Sequence, residues 1–113
     1  MKTLLIENST DIGSLAVADE GVILARRQFL KAGELAGTIQ EIVATFGQPH
    51  EIVVGIGPGS YTGLRVAAAM ALGLETALKC AAFGCPSVLG YPEECYHVVG
   101  DARLGTVFFA SIA

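Results

Sequence analysis

Residues 51–80 limit the fold more than any other stretch. The run EIVVGIG (51–57) is continuously apolar and of strand length, as expected for a parallel strand inside a sheet. It passes into GPGSYTG, and a helix-period segment follows over about 60–80. A strand, a glycine-rich turn and a helix in that order belong to α/β layers, and the turn can present backbone N–H groups to an anion. Gly57, Gly59 and Gly63 tolerate positive φ, Pro58 stiffens the bend, and Ser60 or Thr62 suits the helix N-cap. Arg65 lies one turn in, within reach of a negative ligand. The loop therefore reads either as an anion cradle built from Gly57, Gly59, Ser60, Thr62, Gly63 and Arg65, or as a structural turn. Standard phosphate motifs fail: Leu64 stands where a P-loop needs Lys, and Ser60 where G-x-G-x-x-G needs its last glycine. No G-x-S-x-G elbow surrounds Ser60. These mismatches favour the turn.

The rest of the chain fits the same layer. KTLLIE (2–7) reads as a buried strand closed by NSTD, and GSLAVAD (13–19) alternates with Leu15 and Val17 on one side. DEG (19–21) is a hairpin turn returning through VILARRQF (22–29), which makes an antiparallel meander. A helix over 33–46 gathers Leu35, Ile39, Ile42, Val43 and Phe46 on one stripe, with Gly37, Gln40, Glu41 and Ala44 opposite, and GQP (47–49) stops it. Residues 81–90 form a weaker strand broken by Pro86, SVLGYPEEC is an irregular or helical piece, and 96–100 and 106–112 are two strands joined by a turn at 101–105. The order is βββαβαβ and then a hairpin, an α/β fold with a mixed sheet.

The second helix is apolar almost all round. One arc (Val66, Ala67, Met70, Gly73, Leu74, Ala77, Leu78) can face the sheet, while Leu64, Ala68 and Leu72 form a second seam among Arg65, Glu75, Thr76 and Lys79. A chain of 113 residues has too few other elements to cover both sides, so the outer seam reads as a helix–helix partner surface.

Composition narrows the function. The chain is 52% apolar with net charge −4 and seven Lys and Arg, so direct electrostatic binding of nucleic acid is disfavoured. Cys80, Cys85 and Cys95 form no CxxC pair, which suits a reducing compartment. His50 and His97 stand alone, so no metal site is read. The N-terminal apolar stretch is too short for a signal peptide, and residues 66–78 are too short to span a bilayer. The expected setting is cytoplasmic.

LLIENST (4–10), GIGPGSYTGLRVAAAMALGL (55–74) and GDARLGTVFFA (100–110) together resemble the TsaB (YeaZ) family of tRNA threonylcarbamoyladenosine biosynthesis proteins, over essentially the whole chain. The resemblance implies an RNase H-like first lobe of the actin/Hsp70/sugar-kinase superfamily. Residues 1–113 would be one such lobe, with 96–113 the hairpin leading towards a second. It implies a non-catalytic subunit that pairs through first-lobe helices with a TsaD-like catalytic subunit. Together with a TsaE-like ATPase, the pair supports threonylcarbamoyl transfer to adenosine 37 of tRNA, so this chain meets tRNA only indirectly. No catalytic residue, metal or required cofactor falls on this chain, and ATP and Mg²⁺ belong to the complex. The implied partner surface comprises Gly37, Gln40, Ala44, Leu64, Ala68, Leu72 and Glu75. Two departures concern the family's nucleotide and metal sites: Glu7 and Asn8 replace the usual Asp and Thr, and no His-x-x-x-His lies around Gly33, Leu35 and Gly37. The alternatives are an ATP-dependent enzyme of the superfamily, a glycoprotease-like metallopeptidase, or a self-associating homodimer.

Overall fold

The computed structural model describes residues 1–89, 95–103 and 106–112, which hold a five-stranded and a two-stranded sheet. Strands β1 (Lys2–Glu7), β2 (Gly13–Asp19) and β3 (Val22–Phe29) form the expected antiparallel meander. The β2–β3 turn places Glu20 at φ 51° and Gly21 at φ 78°, the left-handed pair whose twist suits a two-residue hairpin. Ala18 pairs with Ile23 and Val17 with Ala25, so Leu24 is an extra residue that bulges β3.

Helix α1 (Leu35–Phe46) starts two residues later than the 33–46 span, because Ala32–Glu34 first makes a tighter 3₁₀ turn. Gly47, at φ 87°, ends it and donates its N–H to the Val43 carbonyl. Strands β4 (Glu51–Gly55) and β5 (Ala81–Cys85) run parallel to β1 and are joined by α2 (Tyr61–Leu78). The order is β3-β2-β1-β4-β5, with β1 central.

Both parallel strands are shorter than the sequence pattern suggests. The Ile56 N–H still reaches the Cys85 carbonyl, but Gly57 then turns away at φ 92°. Pro86 ends β5, and Ser87–Leu89 forms a 3₁₀ turn. Of the irregular piece expected after it, residues 90–94 lie outside the described residues. Strands β6 (Tyr96–Arg103) and β7 (Thr106–Ile112) pair antiparallel as a separate hairpin. Positions 104–105 of its expected turn also lie outside the described residues.

Strand alternation decides the core. Leu4, Ile6, Leu15, Val17, Ile52 and Val54 share one sheet face and are buried with Leu35, Ile39 and Ile42 of α1. Each such side chain contributes about 1.5–3 kcal/mol on leaving water. Helix α2 buries Ala67 and Ala71, with Val66, Met70 and Leu74 packed beside them. This corrects the arc expected from periodicity: Gly73 and Ala77 face solvent, and Ala71 faces the sheet. The helix is rotated because Gly63, one turn ahead of Ala67, is pressed against Asn8 at the end of β1. Gly63, Ala67 and Ala71 then form a small-residue line, which lets the helix approach the strands closely.

Candidate functional site

Because β1, β4 and β5 are parallel, their carboxyl ends lie side by side, and the glycine loop leaves β4 at that edge. The loop is tied down from two directions. The Gly57 N–H donates to Ser87 Oγ at 3.0 Å, and the Ser87 N–H returns to the Gly57 carbonyl at 2.9 Å. On the β1 side, the Ser60 N–H donates to the Ser9 carbonyl at 2.7 Å, and Asn8 Nδ2 donates to the Gly63 carbonyl at 3.1 Å. Asn8 and Ser9 are themselves buried. Ser60, rather than Thr62, caps α2, its Oγ accepting from the Gly63 N–H at 3.3 Å. A Cβ at Gly59 would overlap the Ser9 carbonyl, and one at Gly63 the Asn8 carbonyl. Both glycines therefore serve close backbone packing.

This arrangement leaves fewer donors for an anion than the loop's sequence offers. The Gly57, Ser60 and Gly63 N–H groups, which a cradle would aim outward, are already engaged within the chain. Arg65 lies 5.3 Å over the Tyr61 ring, and Thr62 is exposed beside it. Glu7 Oε2 accepts the Ser9 N–H at 2.8 Å, and its carboxyl occupies the space that a Gly55 side chain would need. Among the described residues, no three His, Cys, Asp or Glu side chains come together as metal ligands, and no helix is long and apolar enough to cross a membrane.

Helices α1 and α2 expose the other candidate surface. Gly37, Gln40 and Ala44 are exposed on α1, and Ala68 and Leu72 on α2, with Leu72 62% accessible. Ala69, Gly73, Thr76 and Ala77 widen the α2 strip. Two residues read as part of that surface are engaged inside the molecule. Leu64 is half-buried against Gly57, and the half-buried Glu75 accepts the Ala82 N–H at 2.9 Å, fastening α2 to β5. The loop-holding roles of Asn8, Ser9 and Ser87 were missed by sequence reasoning, because each depends on a partner far along the chain. The only local signal was the abundance of Asn and Ser in turns.

The cysteines differ in environment. Burial pushes the Cys80 thiol up, with the Glu75 charge adding to the shift, whereas Cys95 is exposed. Since the thiolate is the nucleophile, iodoacetamide should label Cys95 well before Cys80 at neutral pH, and Cys80 labelling should rise only at more alkaline pH. Mass spectrometry of a timed quench reads this directly, and equal rates would contradict it.

Comparison with known proteins adds the family context. The family model described as TsaD, tRNA N6-adenosine threonylcarbamoyltransferase, matches residues 32–101, more than half of the chain. The tRNA threonylcarbamoyladenosine biosynthesis protein TsaB of Escherichia coli K12 is 25% identical over 125 residues, covering 97% of this chain and 54% of that protein. The solved structure of YeaZ from Pseudomonas aeruginosa superposes with a TM-score of 0.82 at 23% identity, over 97% of this chain and 59% of YeaZ. RuvC of Thermus thermophilus gives 0.57 at 15% identity, over 76% of this chain and 64% of RuvC. The fold is thus the expected RNase H-like α/β layer. The chain spans a little over half the length of the TsaB and YeaZ proteins it matches.

Proposed function

Because the chain belongs to the tRNA N6-adenosine threonylcarbamoyltransferase family and stands with its TsaB/YeaZ members, we propose that it is a non-catalytic subunit in tRNA threonylcarbamoyladenosine biosynthesis. It pairs with a TsaD-like catalytic subunit through the outer faces of α1 and α2. The observation that carries this reading is the exposed strip of Ala68, Leu72, Gly73 and Ala77, small and apolar around one protruding leucine. Small residues let a second helix come close, and a buried leucine anchors the contact. In this reading ATP, Mg²⁺ and a TsaE-like ATPase belong to the cytoplasmic assembly. The chain supplies a first lobe, with β6–β7 leading towards the second. Its net charge of −4 is in keeping with indirect contact with tRNA.

The same strip favours a second reading, a homodimer, since an apolar face can meet its own copy about a two-fold axis. Size exclusion with light scattering on the chain, on its organism's TsaD homologue and on the mixture separates the two. A one-to-one complex is expected, with any homodimer displaced. A homodimer that persists and excludes the TsaD homologue would overturn the proposal.

A further inference from the structure

Charge is sparse on α2, and its placement follows the exposed strip. Between residues 61 and 79 the charged side chains are Arg65, Glu75 and Lys79. Glu75 is half-buried and turned to the Ala82 N–H of β5, so its carboxylate serves the inner side. Arg65 lies seven residues before Leu72, and Lys79, the C-cap of α2, lies seven after it; both are exposed. Seven residues is close to two helical turns, so Arg65, Leu72 and Lys79 run along one line of the helix. The strip between the two cations is small and uncharged, through Ala68, Ala69, Gly73 and Thr76. Among the described residues neither cation has an ion-pair partner, and Arg65 rests over the Tyr61 ring. On α1, Gly37, Gln40 and Ala44 carry no charge, and Glu41 is already bonded to Arg27.

This spacing decides which helix the strip accepts. Helices that pack at a shallow angle of about 20° stay adjacent for several turns around their crossing. At 1.5 Å per residue each cation sits about 10.5 Å from Leu72, inside that length. Two copies of the chain that met on Leu72 would do so about a two-fold axis. In an antiparallel pair, Arg65 would meet Lys79 of the other copy. In a parallel pair, Arg65 would meet Arg65 and Lys79 would meet Lys79. Either direction sets cation against cation at both ends, and like charges so placed oppose association. A helix with Asp or Glu about two turns to each side of its contact residue meets a cation at both ends in either direction.

We infer, on the reading that α2 meets a TsaD-like subunit, that Arg65 and Lys79 select a partner helix with acidic residues about two turns to either side of its contact with Leu72, and select against a second copy of this chain. Leu72 supplies the apolar anchor and the two cations supply the choice. Charges at the rim of a contact act mainly in this way, by penalising the wrong partner more than by tightening the right one.

The test is titration calorimetry of the full chain against its organism's TsaD homologue, using Arg65→Glu, Lys79→Glu and the double variant. Arg26→Glu, on β3, controls for added negative charge. Each single change on α2 should weaken binding about threefold or more, the size expected of one exposed charge pair. The double variant should lose more, and Arg26→Glu should bind as the wild type. Added salt should weaken the wild-type complex more steeply than that of the double variant. The double variant is itself an acid-flanked helix, so in light scattering its mixture with wild type should associate more than either chain alone. Melting temperatures should stay within about 5 °C of the wild type, because Lys79→Glu disturbs only the helix dipole. If Arg65→Glu and Lys79→Glu bind as wild type while Leu72→Glu does not, the strip remains the contact and the charge selection is overturned. If the wild-type chain forms no complex, the reading of the interface fails and the selection with it. A larger fall in melting temperature for Arg65→Glu would place that residue inside the protein, and a wild-type homodimer tighter than the mixed pair would show that like charges do not exclude a second copy; each would overturn the inference.

Discussion

The Gly63→Ala chain is expected to melt roughly 5–15 °C below the wild type, a loss of about 1–3 kcal/mol. The added methyl would overlap the Asn8 carbonyl, and neither side can easily give way. Asn8 is buried, and its side-chain amide is bonded to the Gly63 carbonyl, so the end of β1 and the first turn of α2 are held to each other. In an isolated helix alanine would instead gain up to about 1 kcal/mol over glycine. Gly73 provides that control, because it lies in the same helix and a Cβ added there would meet nothing within 4 Å. Gly73→Ala should hold or raise the melting temperature. Thermal melts followed by circular dichroism on both variants check the pair, and a Gly63→Ala chain as stable as wild type would mean that the loop tolerates retreat from β1.

That contrast shows what was legible in the sequence. The meander, both helices and the parallel strand before the glycine loop follow from periodicities of two and 3.6 and from turn residues, all of them local signals. Glu20 and Gly21 sit where DEG marks a hairpin, and Gly47 ends α1 where GQP marks a stop. The rotation of α2 was not legible. Its composition is apolar on nearly every side, so hydrophobicity alone cannot choose a face, and the choice falls to the contact between Gly63 and Asn8. The meaning of the glycine loop was hidden for the same reason. Glycines that admit an anion and glycines that admit another backbone look alike until Asn8, Ser9 and Ser87 are seen holding the loop. Glu75, read as part of a partner seam, proved to bond the Ala82 amide across the α2–β5 connection.

Leu72→Glu is expected to weaken the complex with the TsaD homologue about thirtyfold or more, equivalent to roughly 2 kcal/mol, while leaving the chain's own melting temperature almost unchanged. The two effects separate because Leu72 is 62% exposed and lies outside the buried core cluster; surface substitutions of that kind usually stay within about 0.5 kcal/mol. In the complex, by contrast, the leucine would be covered by an apolar helix face, and a carboxylate there would lose its water without gaining a partner. Val22→Glu is the matched control. It introduces the same charge at an equally exposed apolar residue, also 62%, in the β2–β3 hairpin of the meander and outside α2. Titration calorimetry on wild type and both variants should show Val22→Glu binding as wild type and Leu72→Glu falling away. If both variants bind like wild type, the exposed strip of α2 is not the contact. If both fall equally, the loss reflects added negative charge on an already acidic chain and not the surface that Leu72 occupies.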